Sequence, residues 1–222
     1  MRFYRLKTKW TRFWLRFSGI GLFGKVAAWL ATWFVPPYFA RVSLSRQNSR
    51  GFVSASATIH HPNLNMGRHC FMGEDVLIYQ DLNGGAVTLG DAVHIHRGTI
   101  IQTGEHGFVV IGTDTHIQPR CQFSAYKGGI QIGERVEIAP NCAFYPYNHG
   151  TALDTSIRQQ PIFSRKGITV GDDAWLGYGV ILLDGATVGK GAVIGAGSIV
   201  TGDIPDGAIA VGAPAKVRRM RE

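Results

Sequence analysis

From residue 168 onward an aliphatic residue recurs at every sixth position: Val170, Leu176, Leu182, Val188, Ile194 and Val200. Two residues before each sits a small or β-branched residue (Ile168, Ala174, Val180, Ala186, Ala192, Ser198). The same spacing runs upstream in triplets: Met66/Met72/Ile78, Leu89/Ile95/Ile101, Ile111/Ile117/Phe123 and Ile132/Ile138/Phe144. Within a triplet the step is always six; between triplets it widens to 11, 10, 9 and then 26 residues. Insertions therefore leave from one corner of a three-sided, 18-residue coil. No helical period of ten residues survives between the hexads, which argues against alternating strands and helices. The pattern predicts an all-β fold, a parallel solenoid over residues 51–205. Each hexad is a short strand with its aliphatic residue inward and a small residue at the corner. Stacked coils would share ladder hydrogen bonds about 4.8 Å apart. Residues 206–222 read as a C-terminal tail.

The three cysteines fall into this register. Cys70, Cys121 and Cys142 each lie two residues before an inward position (Met72, Phe123, Phe144), the slot that takes small residues elsewhere. They read as buried core residues. Their odd number and lack of close pairing argue against a disulfide framework or a zinc site, and favour a reducing cytoplasm.

Composition changes the picture at the N-terminus. The chain has 222 residues and a formal net charge of +8. Residues 1–50 hold ten of the 23 Lys and Arg and no acid, leaving 13 basic against 15 acidic residues in the remainder. The excess charge is thus local, which argues against a nucleic-acid-binding body. On a helix through residues 2–17, Arg2, Arg5, Lys9, Arg12 and Arg16 fall on one face. Phe3, Leu6, Trp10, Phe13, Trp14 and Phe17 fall on the adjacent one. An apolar run, Gly19–Val35, follows with Trp29, Trp33 and Phe34, closed by Pro36 and Pro37. Four of the five Trp lie in this basic segment. A basic, Trp-rich amphipathic helix predicts a membrane surface as partner, through residues 1–40. Packing of these aromatics on the solenoid is the competing expectation.

The stretch 168–216 is similar to the C-terminal half of hexapeptide-repeat acyltransferases. Trp175-Leu176-Gly177, Ile194-Gly-Ala-Gly-Ser198 and Gly212-Ala-Pro-Ala-Lys216 carry the likeness. It extends over about residues 53–218 and is nearest the galactoside, maltose and serine O-acetyltransferases and the polysaccharide-locus acetyltransferases. The resemblance implies a left-handed parallel β-helix, a homotrimer, and acetyl-CoA in the groove between subunits, with no metal. It places Trp175, Gly177, Tyr178, Gly195 and Ala196 along that groove, with Lys216 and Arg218 toward the CoA phosphates. It also places the catalytic His in the longest insertion, where His149 matches, within a loop over residues 145–169.

The residues support that chemistry. Acyl transfer to a hydroxyl needs a base within hydrogen-bond reach, and an imidazole takes and gives a proton near neutrality. His149 would deprotonate the acceptor, and a backbone N–H near Gly177 and Tyr178 would stabilise the oxyanion. Tyr147 and Asn148 flank the base as candidate acceptor contacts. Where the sugar enzymes carry Asn on the preceding coil, this chain has Gln118 and Arg120, so the family's acceptor contacts do not transfer. His94, His116, Glu137 and Trp175 each precede the middle inward residue of successive coils. They predict an outward stack that lines the acceptor wall, orients His149 through Glu137, or forms a plain polar ladder. The expected function is an acetyl-CoA-dependent O-acetyltransferase acting on a sugar hydroxyl of a lipid-linked or cell-surface polysaccharide precursor. Its expected location is the cytoplasmic face of the cell membrane. Two alternatives stand beside it: a metalloprotein like the gamma-type carbonic anhydrases, which share this fold, and a non-enzymatic trimeric scaffold tethered to membrane.

Overall fold

The computed structural model describes residues 2–37 and 39–222; Met1 and Tyr38, and the side chains of Arg2, Phe3, Tyr4 and Phe39, lie outside the described residues. Arg2 and Phe3 of the two predicted helix faces are therefore not placed. From Phe52 on, the chain winds coil after coil through three sheets of nine, seven and seven strands, parallel throughout except for the last strand of the first. The first face runs from Phe52-Val53 to Ala208–Val211, the second from Thr58–His60 to Ile199-Val200, and the third from Leu64–Met66 to Asp203-Ile204. Registers are set by the hexads. Ile95 lies over Met72, Ile117 over Ile95, and Ile138 over Ile117. On the second face Phe123 and Phe144 stack with centroids 4.3 Å apart and planes 9° from parallel. The inward residues make one continuous buried column, and Cys70, Cys121 and Cys142 lie within it as free thiols.

The corners show a rule the residue types conceal. Leading into the first and second faces, from Met72 on, the residue three before an inward position adopts positive φ, as at His69, Asp75, Ala92, Asp114, Arg120, Arg135, Asn141 and Asp173. The small residue that follows is buried in the corner. The turn is thus made by a left-handed backbone, and the small side chain fills the space beneath it. Later coils relieve this cost with Gly179, Gly191 and Gly197 at the same place.

The solenoid runs on past residue 205. Ala208–Val211 pairs in parallel with Val193-Ile194, and Lys216–Met220 folds back on it antiparallel, covering the last ladder edge. At the other end, helices α1 (Arg2–Leu15), α2 (Leu22–Ala31) and α3 (Phe39–Ser45) precede the first coil. Leu15, Ala28, Ala31 and Leu44 form a second buried cluster on Phe52 and Phe71, the outward residues of the first two coils. Those two rings stack at 5.8 Å. Part of the aromatic segment therefore does pack on the solenoid, with Trp14 half-buried against this cluster.

Ala92 is the clean test of the corner rule, since its side chain makes no polar contact to lose. Ala92→Gly should raise stability by about 1 kcal/mol, read as a higher thermal midpoint. An unchanged or lower midpoint would mean that the left-handed corner carries no strain.

Candidate active site

The 26-residue step from Phe144 to Val170 makes its excursion at the corner between the second and third faces. Its two arms pair antiparallel, Asn148 opposite Phe163 and His149 opposite Ile162. Within it, Gln160 ties the tip by accepting from the Ala152 N–H and donating to the carbonyls of Ala152 and Thr155. His149 is exposed on the outgoing arm. Its ring centroid lies 6.5 Å from that of Tyr147, which in turn touches Tyr145 (6.0 Å) and Tyr126 (5.8 Å) edge-on. The Tyr126 hydroxyl donates to Glu105, which also pairs with Lys127 at 2.6 Å. Tyr126 and Tyr145 extend the aromatic surface beyond the Tyr147 read from sequence.

Asp184 fastens this loop. Its carboxylate accepts from Asn148 Nδ2 (2.8 Å), Ser164 Oγ (3.0 Å) and the backbone N–H groups of Arg165 (2.8 Å), Lys166 (3.3 Å) and Gly167 (3.0 Å). Burial pushes its pKa up, but these donors together outweigh burial and hold it below the usual carboxylate range. The Asn148 amide is thus committed to Asp184 and anchors the arm that carries His149. No periodicity marks Asp184; the only signal is a carboxylate in the otherwise apolar run Ile181–Ala186.

The predicted cofactor residues gather elsewhere. Trp175, on the first face, and Tyr178, at the corner between the first and second faces, are 54% and 57% exposed. Gly177 and Gly195 are dictated by coil stacking: a Cβ on Gly177 would come within 2.7 Å of the Ala196 nitrogen, and one on Gly195 within 2.6 Å of Val211 Cγ1. The Gly177 N–H is spent on the Ile194 carbonyl at 2.8 Å. Tyr178, the next residue, offers an amide to which the hydrogen bonds among the described residues assign no acceptor. Ala196 is exposed beside it. Lys216 and Arg218 lie on the exposed returning strand, Arg218 at a bulge where the pairing shifts between Ile209 and Ala210. Trp175 itself lines a groove of about 620 Å³ that runs along the first face past Arg135, Glu137, Asp173, Val193, Ile209 and Arg221. Sequence reasoning singled out neither Arg135 nor Arg221. Gln118 follows the inward Ile117, and Arg120 occupies the next corner, donating from Nε to Asn141 Oδ1 at 3.0 Å. Both sit at the corner between the first and second faces. Within one chain they, like Trp175 and Tyr178, are separated from the base of the His149 loop by the width of the second face.

The outward stack on the first face is real, but it is not uniformly exposed. Phe71, His94, His116, Glu137 and Trp175 lie in direct register. The His94 and His116 rings stack at 4.5 Å, 4° from parallel, and His116 Nδ1 sits 2.9 Å from Glu137 Oε1. His94 is only 5% exposed, its ring lying between Phe71 and His116. Glu137 is thus engaged by His116, on a different face from the base of the His149 loop. These side chains line up along the ladder instead of converging, and among the described residues no group of three or more His, Cys, Asp or Glu is placed to hold a metal ion.

Burial, then the neighbouring His116, His96 and Arg46, pulls the pKa of His94 down to about 4; Asp114 opposes weakly. The unfolded imidazole titrates near 6.5, so acid loads the unfolded chain first. The stabilisation from burying neutral His94 should be complete above about pH 6.5 and drain away toward pH 4, by about 3 kcal/mol in all. His94→Phe, which continues the Phe52–Phe71 stack, should flatten this slope in denaturant titrations; an unchanged slope would clear His94 of the effect.

Comparison with known proteins agrees with this architecture. Residues 167–202 match the model of the bacterial transferase hexapeptide (six repeats). Over 63 residues the chain is 46% identical to galactoside O-acetyltransferase of Lactococcus lactis, covering 28% of this chain and 30% of that one. The aligned stretch spans about a third of the length of the curated relatives it matches. The fold is shared with the polySia-specific acetyltransferase NeuO (TM-score 0.56, 21% identity, 78% of this chain and 84% of that one). It is shared too with a mutant of AntD, an N-acyltransferase from Bacillus cereus in complex with dTDP and coenzyme A (TM-score 0.56, 18% identity, 78% and 81%). Residues 167–202 thus carry the hexapeptide repeat of bacterial transferases, and the solenoid has the fold of NeuO.

Proposed function

We propose that the protein is an acetyl-CoA-dependent O-acetyltransferase acting on a sugar hydroxyl of a lipid-linked or cell-surface polysaccharide precursor. One observation carries the reading: the loop base and the Trp175–Tyr178 surface occupy different corners of one chain, so a complete site needs a second copy. A homotrimer meets this requirement, each interface joining the His149 loop of one subunit to the Trp175–Tyr178 corner of its neighbour. Acetyl-CoA would lie along that corner, its phosphates toward Arg135, Arg221, Lys216 or Arg218. The supply of acetyl-CoA sets the reaction on the cytoplasmic side of the membrane.

The chemistry follows from the groups present. His149 takes the proton of the acceptor hydroxyl as that oxygen attacks the thioester carbonyl. The tetrahedral oxyanion accepts from the Tyr178 N–H, and collapse expels the CoA thiolate, which takes up the proton from His149. Tyr126, Tyr145 and Tyr147 offer amphipathic ring faces suited to a sugar, apolar across the ring and polar at the hydroxyl. The relative named for galactoside O-acetylation supports a sugar acceptor.

His149→Ala should lower acetyl transfer by about two to four orders of magnitude while trimer formation and CoA affinity persist; near-normal turnover would remove His149 from the chemistry. Asp184→Ala frees both arms of the loop. It should speed proteolysis within residues 150–159 and cut kcat roughly tenfold or more, with CoA affinity unchanged. In the native protein the hold of Asp184 is complete above the ordinary carboxylate range and is lost as pH falls through its lowered pKa. A loop that resists protease equally in both proteins would show that Asp184 does not position it.

A further inference from the structure

Exposed large apolar side chains are concentrated at one place. Of 21 among the described residues, 11 fall between Leu6 and Phe34, a density that marks an interaction surface. Helix α1 and the turn that follows it have three faces, not two. Thr11, Leu15 and Ser18 are buried; Arg5, Lys9, Arg12 and Arg16 are exposed on a second side; Leu6, Trp10, Phe13 and Phe17 are exposed on a third. Helix α2 has two. Gly24, Ala27, Ala28 and Ala31 are buried, and the opposite side presents Leu22 (84% exposed), Val26, Trp29 and Trp33 (57% exposed) with no charge among them. Phe17 meets Phe23 at 6.3 Å and Trp29 meets Trp33 at 4.7 Å, so the exposed aromatic surface runs across both helices.

We propose that this face is an in-plane docking surface for an anionic lipid bilayer. Charge selects the occupant. Residues 1–50 contain no acid, and among their described side chains only Arg41 pairs with one, Glu74. A second copy of the hairpin would bring like charges together; anionic headgroups neutralise them while the acyl region takes the aromatics. Helix length sets the mode. At 14 and 10 residues, α1 and α2 reach only about 21 and 15 Å against a hydrocarbon core of about 30 Å, and no helix described is long and apolar enough to cross a membrane. Trp10 Nε1 donates to the Leu30 carbonyl at 2.8 Å, bracing one helix on the other. The surface stands whether or not the acetyl-transfer reading holds.

The test uses the full chain and vesicles of phosphatidylcholine with and without phosphatidylglycerol. The protein should sediment with the anionic vesicles at low salt and release at high salt, and brominated lipid should quench its tryptophan fluorescence. Arg12→Gln and Arg16→Gln should each weaken vesicle affinity about fivefold. Trp29→Ser with Trp33→Ser should weaken vesicle binding and leave only the residual quenching of Trp10, while a normal thermal midpoint reports an intact fold. Protein that remains in the supernatant with anionic vesicles overturns the proposal. So does lipid-free self-association that the Trp29/Trp33 pair of changes dissolves, since the occupant is then a second copy. Equal affinity for nucleic acid without quenching overturns it too.

Discussion

Each coil must lay its inward residues directly over those of the coil beneath, and the rest of the molecule is arranged around that demand. A strand in this solenoid is only two to five residues long, too short to hold its place alone. Ladder hydrogen bonds to the coils above and below fix it, and the buried column of aliphatic and aromatic plugs sets the register. A chain under that constraint has freedom in only two places, the outward side chains and the one corner from which excursions can leave. The outward stack from Phe52 to Trp175 and the His149 loop are those two freedoms used. Gly177 and Gly195 show the constraint from its strict side, because the neighbouring coil leaves no space for a Cβ.

What sequence pattern reveals follows the same division. The plugs were legible because a period of six repeats many times, and the cysteines were legible because they occupy a numbered slot in it. The left-handed corners were not, since His69, Ala92, Arg120 and Asp173 share no residue type; what they share is a backbone angle. Arg120 stands out in sequence where the sugar enzymes carry Asn, whereas the fold employs it at a turn braced on Asn141. Asp184 escaped because its partners are mostly backbone N–H groups, which carry no sequence signature. The N-terminal helix was read with two faces because a helical projection separates only polar from apolar. The third face, with Thr11, Leu15 and Ser18, is defined by what it docks against and not by its composition.

The distribution of ionisable groups also divides the molecule. The basic segment stacks its arginines and lysines outward with a single acidic partner, while the solenoid pairs most of its charges locally, as in Arg68 with Asp91 and Lys166 with Asp203. At the boundary lie His94 and His96, two imidazoles whose pKa values burial depresses. Stability at this end of the solenoid therefore falls as pH drops from neutrality toward mild acid.

The helices are seated on Phe52 and Phe71 through Leu15, Leu44 and an alanine face, and the connection to the first coil is tied by Asn48 to the Leu15 carbonyl and by the His69 N–H to the Ser49 carbonyl. Along the first face, Trp175 lies four ladder steps above Phe71, roughly 19 Å at the usual strand spacing. The coils between them thus behave as a ruler graduated in whole strands. The height of the upper corner above its seat is set by an integer number of rungs, and it can change between related chains only by inserting or removing a full turn.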